Sequence, residues 1–226
     1  MSPIKTVIPY KPDNPKSRLS AVFTEEERKF FVELSLENVL SALKEAGIRR
    51  VEILCKSLPE PGDEKKIRDM FYAEEAELTF SVDERDLNTA MNDYLKKAGE
   101  PVLIVMADLA LLTKENVSAM IASPSAAIAP PDADATGFIR IAPGKDGGTN
   151  MMYIGAPKIF EVNYYGESFK KHREEARNKD LVCEIHESFF AAADMDEPED
   201  LKEILVHGKG KLLEFVSSAL KKEIFN

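Results

Sequence analysis

The sequence predicts an α/β fold, a layered domain with a mostly parallel sheet flanked by helices. Three observations carry that reading. Short apolar, β-branched runs alternate with segments of helical period along almost the whole chain. The most apolar run, PVLIVMADLALL at 101–112, delivers Asp108 at the C-terminal end of a strand, where open α/β sheets keep their chemistry. The 226 residues show no break in composition and suffice for one well-buried core, so 1–226 reads as a single domain.

The elements follow in order. A first strand occupies 5–9. A long helix starts after Thr24, whose hydroxyl caps the backbone while Glu27 supplies the reciprocal half of a capping box. Val32, Leu36, Val39 and Leu43 form its buried stripe, and Gly47 ends it. Strands are expected at 49–56 and 77–82, a helix at 87–98 stopping at Gly99, and the central strand at 102–106. A helix near 113–122 precedes strands at 126–130 and 138–142. GESFKKHREEARNKD is a charged helix and VCEIHE a strand. PEDLKEILVHG is a helix opened by Asp196 or Glu197, with Pro198 in its first turn. KLLEFVSSALKK closes the chain as a helix offering Leu212, Phe215 and Leu220 for packing, on its own domain or on a partner. The Pro-rich stretches IPYKPDNPK, SLPEPGDE and APPDADATG read as connecting or functional loops.

Composition excludes several classes. A formal net charge of −10 argues against nucleic acid as a partner, since backbone binding needs a basic surface. Cys55 and Cys183 form no C-x-x-C pair and sit in strand-like apolar surroundings, which suits buried thiols rather than ligands or a disulfide. The N-terminus lacks a signal-peptide core, and the apolar run at 102–112 is too short to span a bilayer and is cut by Asp108. A soluble cytoplasmic protein without membrane association is expected. Neither a Walker sequence nor G-x-G-x-x-G is present, so the chain is neither a P-loop ATPase nor a standard dinucleotide binder.

The chemistry-bearing residues form three groups. Asp108 alone would read as a loop cap. With Asp194 and Asp196 in AAADMDEPEDL it reads as a divalent-metal site, because alternate residues of an extended segment point the same way. Asp196 also suits the cap of the following helix. Lys11, Lys16 and Arg18 follow the first strand; scattered cations usually mark a solvated loop, but this loop lies at the sheet edge where phosphates bind. In APGKDGGTN, Gly147 and Gly148 precede Thr149 and Asn150. Together with Gly166, Ser168 and His172 of YYGESFKKH they compose an anion pocket of amides, hydroxyls and one imidazole. Taken alone, His172 reads as a surface residue of a charged helix. No Ser/His/Asp triad can be assembled.

The ordered set IPYKPDNPKSRLS, DLN at 86–88, ADLALL, GGTN, GESFKKH and DMDEPEDL resembles the 2-phospho-L-lactate guanylyltransferase family of coenzyme F-420 biosynthesis, over nearly the whole chain. The resemblance implies a single-domain nucleotidyltransferase fold, glycosyltransferase-A-like and Rossmann-like. It implies that GTP and 2-phospho-L-lactate are joined to give lactyl-2-diphospho-5'-guanosine and diphosphate. It further implies catalytic roles for Lys16, Arg18 and Asp108, and Mg2+, with Mn2+ as substitute, on Asp108, Asp194 and Asp196. Nucleotide contacts fall to Lys16, Arg18 and Asn88, with Lys11 added by its place in the loop. Thr149, Gly166 and Ser168 match the acceptor pocket. Relatives of this kind use phosphoenolpyruvate or 3-phosphoglycerate as acceptor, which leaves the three-carbon acid open. Ala110 and Glu197 depart from the family's common proline and threonine, which bears on loop shape rather than on any ligand. The competing readings are a sugar-1-phosphate nucleotidyltransferase and a non-catalytic nucleotide-binding regulator. Three acids and two loop cations argue against the regulator. A homodimer is a candidate assembly.

Overall fold

The computed structural model describes residues 4–11, 16–72, 75–124 and 137–224. Seven strands form one sheet: β1 (Lys5–Tyr10), β2 (Arg50–Cys55), β3 (Glu77–Val82), β4 (Val102–Val105), β5 (Phe138–Pro143), β6 (Thr149–Ile154) and β7 (Val182–Ile185), in the order β3-β2-β1-β4-β6-β5-β7. Every neighbouring pair is parallel except those made by β6, which runs against both β4 and β5. The expected mostly parallel, helix-flanked α/β architecture is therefore the observed one.

This order fixes where chemistry can gather. β1 and β4 are parallel neighbours, with Thr6 opposite Leu103 and Val7 opposite Ile104, so the loops leaving them emerge side by side. Because β6 is reversed and pairs Met151 with Val105, its start at Thr149 and Asn150 comes to the same edge. Three segments far apart in sequence thus share one rim.

α1 (Glu25–Glu45) shows how local signals set the frame. The Thr24 hydroxyl accepts the Glu27 N–H at 3.2 Å, and the Glu27 carboxylate accepts the Thr24 N–H at 2.9 Å, the reciprocal box expected. At its other end Gly47 has φ +86°; the Ile48 N–H donates to the Leu43 carbonyl at 3.0 Å and the Gly47 N–H to that of Lys44 at 3.1 Å. This is a Schellman ending, which needs the left-handed residue that glycine supplies without steric cost. Val32, Leu36, Val39 and Leu43 are buried against one sheet face, together with Ile67 and Phe71 of α2 (Pro61–Phe71) and Val117 and Met120 of α4 (Lys114–Ile121).

α3 (Leu87–Lys97) and α5 (Ser168–Asn178) cover the opposite face through Ala90, Met91, Leu95 and Ala176. A third apolar cluster joins Leu19, Phe23 and Phe31 to Leu201 and Ile204 of α7 (Leu201–His207) and to Leu212 and Val216 of α8 (Gly210–Ile224). The Phe215 ring sits 5.2 Å from that of Phe23 and 5.1 Å from that of Phe30, so α8 packs on its own domain. Cys55 and Cys183 are free thiols, the first buried and the second half-buried. Among the described residues no helix is long and apolar enough to cross a membrane.

Some elements differ from expectation. SLPEPGDE is only partly a loop, because α2 begins inside it at Pro61; proline at the first helical position, followed by Asp63 and Glu64 in the first turn, is a helix start. GGTN is not wholly a loop either: TNMMYI is β6, buried at every position, so it lacks the alternation that marks a half-exposed strand. α6 (Phe189–Ala192) is a further short helix. The helix expected from Pro198 divides into a 3-10 turn, Pro198–Asp200, and α7. The strand expected at 126–130, most of the APPDADATG loop and positions 12–15 of the first loop lie outside the described residues.

Candidate active site at the sheet edge

Lys16 is the pivot of the rim formed by β1, β4 and β6. Its backbone is left-handed (φ 50°, ψ 48°), and it leads into a 3-10 turn, Ser17–Ala21, pinned by the fully buried Leu19. The side chain is turned inward, with 8% of its surface exposed, and its Nζ lies 2.6 Å from Asp108 Oδ2 and 2.6 Å from Asp196 Oδ1. Burial works against the ammonium charge, but the two carboxylates outweigh it and hold the Lys16 pKa above its ordinary value. A fixed positive charge between two acids results.

Asp108 leaves β4 into a turn held from behind. Leu109, Ala110, Leu111 and Leu112 are buried, and the Asn38 amide donates to the carbonyls of Leu109 at 3.4 Å and Leu112 at 2.9 Å. The carboxylate of Asp108 itself stays about one-third exposed (36%), as does that of Asp196 (35%). Together with Tyr10, Lys11, Lys16 and Arg18, these two acids line a cleft of about 330 Å3. Arg18 is exposed and its guanidinium lies 3.2 Å from Glu197 Oε1; Lys11 is also exposed.

Asp194 sits deeper. Its Oδ1 is buried with no hydrogen-bond partner, and its pKa is pushed up to about 6 by burial, then by the negative charges of Asp196 and Asp108. The segment that carries it is tied at both ends. The Asn150 amide donates to the carbonyls of Ala191 at 3.0 Å and Ala192 at 3.3 Å, and the Asp194 N–H to that of Ala192 at 3.0 Å. Asp200 Oδ2 accepts the N–H groups of Asp196 at 2.9 Å and Glu197 at 2.8 Å, while the other Asp200 oxygen pairs with Lys145. Among the described residues no three His, Cys, Asp or Glu side chains already surround a common point at metal-ligand spacing. The residues nevertheless fit a divalent cation: a buried carboxylate oxygen has no partner, two further acids stand near it, and all the donors are hard oxygens suited to Mg2+ or Mn2+.

The residues expected at the acceptor form a second corner, with its hydroxyls inward. His172 is fully buried, not a surface histidine. The Asn163 N–H donates to its Nε2 at 2.8 Å, which leaves the ring proton on Nδ1, and Nδ1–H then donates to Thr149 Oγ1 at 2.9 Å. Ser168 Oγ donates to the same Thr149 oxygen at 3.3 Å. Burial, then the charge of Lys171, pushes the His172 pKa down to about 4 and keeps the ring neutral. Tyr165, Gly166 and Glu167 are exposed at this corner. Gly166 (φ +55°) and Glu167 (φ +44°) are both left-handed just ahead of α5, and a Cβ at Gly166 would meet no atom within 4 Å. The Phe169 N–H donates to the Gly147 carbonyl at 3.1 Å, tying this corner to the β5–β6 loop.

Asn88 does not line the Lys16 cleft. Its Oδ1 accepts the Tyr164 N–H at 2.7 Å, which fixes the loop that approaches Gly166. The structure thus gathers Lys11, Lys16, Arg18, Asp108 and Asp196 in one cleft, sets Asp194 beside them, and groups Thr149, Gly166 and Ser168 in an adjacent corner. Sequence reasoning assigned no role to Lys145 and Asp200, or to Asn150 individually. The only local signal was for Asp200, three residues after Glu197 in a capping-box spacing that the structure realises.

Comparison with known proteins gives the family and the fold. The family described as "Guanylyl transferase CofC like" matches residues 4–221. The protein from Methanosarcina mazei named 2-phospho-L-lactate guanylyltransferase is 43% identical over 221 residues, covering 98% of this chain and 95% of that protein. Its namesake from Methanosarcina barkeri is 41% identical over the same span and coverage. Among solved structures, one assigned as a nucleotide-diphospho-sugar transferase from Desulfovibrio desulfuricans G20 superposes with a TM-score of 0.72 at 16% identity, covering 98% of each chain. A cytidylyltransferase from Leptospira borgpetersenii gives 0.56 at 11% identity, over 99% of this chain and 96% of that one. These likenesses show the fold.

Proposed function

The chain belongs to the CofC-like guanylyl transferase family, and from that premise we propose that it joins GTP and 2-phospho-L-lactate into lactyl-2-diphospho-5'-guanosine and diphosphate, a step of coenzyme F-420 biosynthesis. The observation that carries the residue assignment is the meeting of Lys16 with Asp108 and Asp196 at 2.6 Å in a cleft at the C-terminal ends of parallel strands.

A phosphate oxygen of the acceptor attacks the α-phosphorus of GTP; the new P–O bond forms as the bond to the β-phosphate oxygen breaks and diphosphate leaves. Both reactants carry several negative charges, so repulsion is the main obstacle. Asp108, Asp194 and Asp196 would hold Mg2+, or Mn2+ in its place, which when bound neutralises phosphate charge and orients the phosphate oxygens. Lys16 stays protonated and is spatially fixed, which suits it to the charge that grows on the leaving diphosphate. Arg18 and Lys11, exposed at the mouth of the same cleft, complete the cationic side for the triphosphate.

No general base is required, since a phosphate monoester is already largely ionised near neutral pH. Catalysis is alignment plus charge neutralisation. At the acceptor corner, the backbone amides around Gly166 and Ser168 receive the compact anion, while Thr149 and His172 hold that backbone from behind. Asn88 acts through the Tyr164 loop that it anchors. Every reactant is water-soluble, which fits an enzyme working in the cytoplasm.

The test is diphosphate release from GTP and from ATP with 2-phospho-L-lactate, phosphoenolpyruvate, 3-phosphoglycerate and a sugar 1-phosphate, compared by kcat/KM. GTP with phospholactate should lead. Preference for another three-carbon acid would change the acceptor and keep the mechanism; preference for the sugar phosphate, or no release with any pair, would overturn the reading.

A further inference from the structure

Asp194 and Asp196 lie on an irregular extended segment with no strand or helix of its own to hold it. Backbone of this kind keeps two side chains in a fixed relation only if its ends are tied to rigid elements. One tie is at Ala192, whose carbonyl receives the N–H of Lys145 at 3.2 Å, that of Asp194 at 3.0 Å and the Asn150 amide at 3.3 Å. The other is Asp200, whose Oδ2 takes the N–H groups of both Asp196 and Glu197. Lys145 belongs to both ties, through its backbone N–H at Ala192 and through its ammonium on Asp200. The β5–β6 loop therefore grips the acidic segment before Asp194 and after Asp196.

We infer that Lys145 and Asp200 are positioning residues that set the relation between Asp194 and Asp196, and thereby the affinity of the acidic cluster for a divalent cation. This rests on the reading of Asp194 and Asp196 as metal ligands. Partners that orient ligands in this way typically govern affinity by roughly 10- to 100-fold. Nothing in the arrangement requires Lys145 to touch the nucleotide or the acceptor. Its effect passes through Asp200 and two backbone N–H groups.

The test measures Mn2+ binding to the full chain by electron paramagnetic resonance of the free ion, without nucleotide, with melting temperature followed in parallel. Asp196→Asn reports on the underlying reading, and Asp200→Ala, Lys145→Met and Lys145→Arg on the inference. Expected is a near-complete loss of binding in Asp196→Asn, a weakening by roughly 10- to 100-fold in Asp200→Ala and Lys145→Met, and recovery of most of that loss in Lys145→Arg. Lys145→Met leaves the Asp200 oxygens and the Lys145 backbone in place, so it guards against a folding defect in Asp200→Ala. Unchanged Mn2+ affinity in Asp196→Asn would remove the metal reading and this inference with it. Loss in Asp196→Asn with unchanged affinity in both Asp200→Ala and Lys145→Met would overturn the inference alone.

Discussion

The Lys16 ammonium lies 2.6 Å from the Asp196 carboxylate, 180 positions later in the chain. The contact joins the loop after the first strand to the acidic segment ahead of α7, and the same nitrogen reaches Asp108 at the end of β4. One cation therefore ties together three segments to which the proposed mechanism assigns its charges, and single substitutions separate their contributions.

Replacing Asp108 by Asn keeps the shape and removes one charge, while Lys16 retains its pairing with Asp196. The fold should survive, with turnover falling at least about 100-fold, the scale on which a fixed charge at a transition state operates. Diphosphate release close to that of the unaltered enzyme would remove Asp108 from the metal and phosphate machinery.

Arg18 is well exposed and among the described residues its one ion pair is with Glu197, so Arg18→Ala should cost less than about 1 kcal/mol of stability. Its effect on GTP should be larger, a KM increase of about tenfold or more, in line with the 1.5–3 kcal/mol of a charge-assisted hydrogen bond. Calorimetry that shows unaltered GTP affinity, together with unaltered turnover, would make the residue a solvated surface cation.

At Gly166 an added Cβ meets no non-neighbouring atom within 4 Å, but the residue must adopt φ +55°. Gly166→Val should therefore combine a backbone cost of roughly 1–2 kcal/mol with obstruction of the space in front of the acceptor corner. The KM for phospholactate should rise sharply while GTP binding stays near normal. Equal loss of both affinities would indicate a collapsed loop rather than a blocked acceptor.

His172 gives the protein a pH signature. Its folded-state pKa, about 4, lies below the ordinary histidine value of about 6.5, so between these limits the unfolded chain binds the proton and the folded one does not. Stability from this group is full above about pH 6.5 and is lost as pH falls toward 4, amounting to roughly 3 kcal/mol across the window. Denaturant titrations at pH 7 and pH 4.5 should show the loss, and His172→Gln should flatten it. A variant with the same pH slope as the parent would assign the effect to other groups.

Much of the frame was legible because its signals are local. Thr24, Glu27 and Gly47 specify both ends of α1 through neighbours three or four residues away, and the apolar run before Asp108 announces a strand ending in an acid. β6 escaped notice because a strand buried on both faces loses the alternation that would reveal it, and α2 because its first turn begins with the proline of an apparent loop. The residues of the candidate site were found as separate motifs, and their joint meaning came from a family likeness rather than from spacing.

What the sequence by itself determined is most of the elements and the chemical inventory: one acid at a strand end, an acidic pair, a basic loop and a glycine-rich stretch. Only the tertiary structure decided how these face one another. The pairing of β1 with β4 and the reversal of β6 bring Lys16 to Asp108 and Asp196, turn Thr149, Ser168 and His172 inward, and hand the acidic segment to Lys145 and Asp200. Capping and periodicity are interactions between near neighbours and can be read along the chain; the direction of a side chain at a rim is set by packing between segments that the chain keeps far apart.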